Sequence, residues 1–130
     1  MHGAHPRDFL IRRIQERSGL LSARGCAKYA GALAGPGIEE QTRVTLGNLA
    51  AVLESAGASL ADVVRCGVFL ADVRDFDAMN EVYVGTVPQP LPARTTVGAA
   101  FPVPGMLVEI DCVAVLPSTG PAGAGGQPGG

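Results

Sequence analysis

The sequence has no tryptophan and only 5% aromatic residues. A core here has to be assembled from Val, Leu, Ile and Ala, for which a 47% hydrophobic composition is ample. No apolar run approaches the roughly eighteen residues a membrane-spanning helix requires. The N-terminal stretch carries Arg7, Asp8, Arg12, Arg13 and Glu16 and has no long apolar segment, so it does not read as a secretory signal, and a cytoplasmic protein is expected. The cysteines, Cys26, Cys66 and Cys112, are odd in number and lack CxxC spacing. They are expected as reduced, structural thiols rather than as a disulfide or a zinc site. There is no basic run, and the formal net charge is -2. Nucleic acid is therefore an unfavoured partner, since a phosphate backbone is met with many Lys and Arg.

The 130 residues suit one domain. The first two dozen form a leader whose Phe9-Leu10-Ile11 and Ile14 fit a strand or a helix start equally well. His2 and His5 within it have no third ligand nearby and suggest no metal site. A strand is expected from Gly25 to Leu33, ended by Gly35-Pro36-Gly37. Ile38, Thr42, Leu46, Leu49, Val52, Leu53 and Ala56 then recur at helical spacing, with Asn48 off the stripe and Gly57 as the C-terminal stop. Ser59-Leu60-Ala61-Asp62 has the form of a capping box, and Val63 to Leu70 reads as a central strand. Asp72 or Asp75 can cap a second helix, Phe76 to Val84, turning Phe76, Met79 and Tyr83 inward. Three prolines between Val87 and Pro92 stop any helix. From Pro117 to Gly130 the chain is Pro, Gly, Ala, Ser, Thr and Gln, a composition expected to stay disordered.

Two last strands alternate. Arg94, Thr96 and Gly98 share one side of the first. In the second, Val108, Ile110, Cys112 and Ala114 make an apolar side, and Leu107, Glu109, Asp111, Val113 and Val115 a mixed one. We expect the arginine and the two carboxylates to share the mixed face. The order of elements gives an α+β fold, with two helices packed on one face of a mixed sheet. The other face, still half apolar, asks to be covered by another subunit at an interface containing Arg94 and Glu109.

Several segments together resemble a known family. They are Ile38-Glu39-Glu40-Gln41-Thr42-Arg43, Leu53-Glu54-Ser55-Ala56-Gly57-Ala58-Ser59-Leu60, Val68-Phe69-Leu70-Ala71-Asp72, Asn80-Glu81-Val82-Tyr83, Pro92-Ala93-Arg94-Thr95-Thr96-Val97 and Val108-Glu109-Ile110. Their pattern is similar to the RidA/YjgF family, the reactive-intermediate deaminases also known as endoribonuclease L-PSP. The likeness covers residues 25–116, leaving 1–24 as leader and 117–130 as tail. It implies a chorismate-mutase-like subunit in a homotrimer, with sites in the clefts between neighbours.

The resemblance further implies hydrolysis of 2-imino or enamine acids to 2-oxo acids and ammonia, with no cofactor and no metal. Arg94 would grip the substrate carboxylate and Glu109 would activate water. Asn80, Thr96 and Gly31 would line the pocket. Ala30-Gly31-Ala32 stands where the family has a Ser-Gly-Gln-like turn, and the family's early Pro-Tyr segment is not recognisable between Arg17 and Ala23. Two alternatives follow: a non-catalytic binder of small carboxylates, or the ribonuclease or translation inhibitor of the family's older name. The partners implied are small 2-imino or 2-oxo acids and further copies of the chain, with no membrane.

Overall fold

A computed structural model of the chain describes residues 11–15 and 19–117. His2, His5 and residues 118–130 of the expected tail lie outside the described residues. The elements run β1 (Ile11–Gln15), β2 (Leu20–Cys26), β3 (Lys28–Tyr29), β4 (Ala32–Leu33), α1 (Ile38–Ser55), β5 (Val63–Leu70), α2 (Phe76–Thr86), β6 (Ala93–Gly98) and β7 (Val108–Val115). Five strands form one sheet in the order β1-β2-β7-β5-β6. All neighbours are antiparallel except β5 and β6, which are parallel and joined through α2.

This is the α+β arrangement expected, with both helices on one face of the sheet. Leu46, Leu49, Val52 and Leu53 of α1 are buried with Leu21 and Ala23 of β2 and with Ile110, Cys112 and Ala114 of β7. From α2, Met79 and Tyr83 join the same core. The α1 stripe therefore lies where its periodicity puts it. Its C-terminus closes as a Schellman motif: Gly57, at φ +88°, donates to Glu54 and Ala58 donates to Leu53. Ser59 and Asp62 form the reciprocal capping box ahead of β5.

Two readings of the sequence need correction. The strand expected from Gly25 to Leu33 is instead the end of β2 followed by the short β3–β4 hairpin. Ala30 and Gly31, at φ +55° and +85°, make its two-residue turn. Glycines and a lone tyrosine gave the periodicity too little to register there.

The second correction concerns Asn48, which belongs to the buried side of α1 and is only 4% exposed. Its amide donates to the carbonyls of Cys26 (2.9 Å) and Lys28 (2.7 Å), tying the hairpin to the helix. Gln41, two turns earlier and fully buried, donates to the Gly35 and Gly105 carbonyls and accepts from the Leu107 N–H. Hydrophobic periodicity overlooks such residues, because they enter a core as hydrogen-bond staples for chain that lacks its own ladder. Gly25 lets α1 lie this close: a Cβ there would meet the Thr45 carbonyl at 2.8 Å.

Among the described residues, the opposite face of the sheet carries no helix. Ser22, Arg24, Arg65, Phe69, Thr95, Val97, Glu109, Asp111, Val113 and Val115 point to it by strand alternation. Val97 and Val115 are 43% and 44% exposed there. It is a mixed, half-apolar surface, as the β7 pattern predicts.

Candidate functional site

Arg94 is the second residue of β6, the strand at one edge of the sheet. The prolines before it end α2 and return the chain beside β5, where Arg94 pairs with Cys66 and Thr96 with Val68. Cys66 also pairs with Cys112, and Val68 with Ile110. Arg94 and Thr96 thus share the helix-covered face with the apolar side of β7. Glu109 pairs with Phe69 and lies on the other face. The expectation that Arg94 and the two carboxylates share one mixed face is overturned. Alternation within each strand is as expected, but β5 intervenes between β6 and β7, and its register sets their relative phase.

On the helix side, α2 closes over the half-buried arginine. Asn80 Oδ1 accepts from Arg94 Nη1 at 2.7 Å. The guanidinium carbon is 4.6 Å from the centre of the Tyr83 ring and 5.3 Å from that of Phe76, both inside cation–π range. Phe76, Asn80 and Tyr83 follow one another at i, i+4 and i+7, so one face of α2 supplies all three contacts. The Thr96 hydroxyl, on the same side of β6, is buried without a hydrogen-bond partner among the described residues. Beneath lie Cys66 and Cys112, both free thiols. Burial raises the Cys66 thiol and pushes Cys112 up to about 12, so both stay protonated at neutral pH.

On the open face, Glu109 is partly exposed (28%) and faces Arg24 Nε at 3.8 Å. A long, half-solvated ion pair of this kind holds a carboxylate only loosely. Asp111, beside it, accepts the Gly67 N–H at 3.0 Å. Arg24, Phe69, Phe101, Pro102, Glu109 and Asp111 border an open cavity of about 270 Å³.

Gly31 sits exposed at the tip of the β3–β4 turn, with nothing within 4 Å of where a Cβ would be. Of the residues singled out in the sequence, the fold brings together Arg94, Asn80 and Thr96. It leaves Glu109 on the far side of the sheet and Gly31 on the hairpin that packs on α1. The sequence reading missed Arg24 and took Tyr83 as plain core. The i, i+4, i+7 spacing of Phe76, Asn80 and Tyr83 was the available signal for the latter. Among the described residues there is no group of three or more His, Cys, Asp and Glu able to hold a metal. No helix among them is long and apolar enough to cross a membrane.

A family model described as endoribonuclease L-PSP matches residues 17–116. The chain belongs to the endoribonuclease L-PSP family, the RidA/YjgF proteins. One relative, "Protein mmf2, mitochondrial" of Schizosaccharomyces pombe, is 53% identical over 81 residues, covering 59% of this chain and 64% of its own. A rat relative named 2-iminobutanoate/2-iminopropanoate deaminase is 34% identical over 113 residues, 87% of this chain and 80% of that protein. The chain spans between 49% and 64% of the length of the first curated relatives it matches. Among solved structures, RidA from an Antarctic Psychrobacter superposes with a TM-score of 0.74 at 30% identity, over 82% of this chain and 86% of that one. The mixed α+β fold with two helices on a sheet is the fold of these relatives.

Proposed function

We propose that the protein hydrolyses small 2-imino acids, and their enamine tautomers, to 2-oxo acids and ammonia at a site completed between copies of the chain. One observation carries this reading. Arg94 is held at a sheet edge by an amide oxygen and two rings, and among the described residues no carboxylate lies within ion-pair distance of it. A guanidinium fixed this way keeps paired donors for a carboxylate, the geometry that only arginine offers. The rat relative named as an imine deaminase supports the same chemistry.

The carboxylate of the substrate binds Arg94, which fixes its imine carbon in one place. Glu109 takes a proton from water as the oxygen attacks that carbon, and the imine nitrogen takes up a proton. The resulting carbinolamine collapses to the ketone; the C–N bond breaks and ammonia leaves with the second proton. Thr96 lines the pocket beside Asn80, and the Gly31 backbone, which the fold holds away from them, reaches it from a neighbouring copy. Water, one base and one cation are sufficient, and we assign no cofactor and no metal.

Within one chain Glu109 and Arg94 are separated by the sheet, so we assign the base to a neighbouring copy. The uncovered face, with Val97, Val113, Val115 and Phe69, gives that neighbour an apolar surface to cover. We assign a homotrimer of chorismate-mutase-like subunits, whose cyclic symmetry builds each cleft from two different faces. The free thiols suit a reducing compartment, and we assign the cytoplasm.

One observation favours a second reading. Ala30 at the hairpin turn offers no hydroxyl, so the fold would equally serve a non-catalytic receptor for small carboxylates. A coupled assay decides, following ammonia or 2-oxo acid released from enzymatically generated 2-iminopropanoate. Release above the spontaneous rate, reduced at least about 100-fold in Arg94→Ala, is expected for the deaminase. Binding of pyruvate with no release selects the receptor, and an Arg94→Ala protein as active as wild type sinks the mechanism.

A further inference from the structure

Tyr83 is 1% exposed, and its ring lies 4.6 Å beneath the Arg94 guanidinium. Its hydroxyl is buried with no hydrogen bond of good geometry, against the Cys66 thiol. A thiol is only a weak hydrogen-bonding partner, so the hydroxyl goes little way to explain a tyrosine here. The ring does explain it. Phe76, half-buried on the previous turns of the same face, repeats the contact at 5.3 Å. Asn80 between them takes one N–H of the guanidinium.

We propose that Tyr83, seconded by Phe76, is a positioning residue for the substrate carboxylate: its ring holds the Arg94 guanidinium before ligand arrives, leaving that group's remaining edge free. The proposal rests on the reading of Arg94 as the carboxylate grip. An acidic partner would hold the arginine more strongly, but it would occupy the donors and cancel the charge that the substrate needs. A ring face and a single amide oxygen restrain the side chain while leaving the charge whole. A free arginine side chain has many rotamers, and restraint in the unliganded protein spares the ligand much of the entropy lost in ordering it. The effect belongs to binding, so it enters KM and Kd and leaves kcat alone.

The test uses the full chain, with pyruvate as the calorimetric probe and 2-iminopropanoate for kinetics. Tyr83→Leu is expected to raise Kd and KM by about two- to thirty-fold, the range spanned by exposed and desolvated cation–π contacts, with kcat little changed. Tyr83→Phe, which keeps the ring, restores affinity. The Arg94 Nε–H resonance, shifted by the rings in the wild type, moves in Tyr83→Leu and not in Tyr83→Phe.

Wild-type Kd together with an unmoved Arg94 resonance in folded Tyr83→Leu would overturn the proposal. So would a fall confined to kcat. If Tyr83→Leu does not fold, Phe76→Leu, at a less buried position, is read by the same three measurements. Should Arg94→Ala bind pyruvate as wild type does, the carboxylate grip fails. Loss of pyruvate binding in Arg94→Ala with no Tyr83 or Phe76 effect would sink the ring clamp and leave the grip standing.

Discussion

Arg94 and Glu109 point to opposite faces of one sheet, because Cys66 of β5 is the pairing partner of Arg94 on one side and of Cys112, not Glu109, on the other. A single copy cannot close these two groups on one small substrate. The proposed hydrolysis therefore calls for a second copy of the chain.

Complementation tests that requirement. Arg94→Ala and Glu109→Gln proteins are each expected to lose about 100-fold or more in turnover, the worth of a positioned charge or general base. Unfolded together and refolded as mixed oligomers, they should regain part of the wild-type rate, since some clefts then combine an intact Arg94 with an intact Glu109. Steady-state deaminase assays on the mixture check it; no recovery in mixed oligomers of verified composition would place both groups in one chain's site.

The paired thiols set an upper pH limit to stability. Cys66 and Cys112, opposite one another in the core, are both held protonated by burial, Cys112 up to about 12. In the unfolded chain a thiol ionises near the ordinary 9.0. Their contribution is fully present below pH 9 and is lost as the pH climbs from there toward 12, at a limiting slope of about 1.4 kcal/mol per pH unit for each thiol. Denaturant midpoints measured from pH 7 to 11 should fall above pH 9, and Cys112→Ala should show a shallower decline.

Ala30 occupies a left-handed backbone position at φ +55°, the first of the two turn residues between β3 and β4. A β-carbon is unwelcome there, and glycine or asparagine suits a turn of this type. Ala30→Gly is expected to stabilise the protein by about 1 kcal/mol. Thermal melts compare the two; an unchanged or lower midpoint would mean that the hairpin strain is relieved elsewhere.

Much of the fold is legible in the residue pattern. The α1 stripe, the Gly57 stop, the Ser59–Asp62 box and the apolar side of β7 are local features, each fixed by periodicity or by a bond between residues a few positions apart. The family is legible too, through the Pro92–Val97 and Val108–Ile110 segments. The beginning was harder: β2 and its hairpin are rich in glycine and alanine, with little to mark a period.

The sequence alone also determined which side chains each strand groups together, because alternation is a property of the extended backbone itself. Only the tertiary structure decided how those groups are phased against one another. Inserting β5 between β6 and β7 put Arg94 against Tyr83 and Asn80 and left Glu109 across the sheet. Strand order and register are set by hydrogen bonds between residues far apart in the chain, and no local spacing records them.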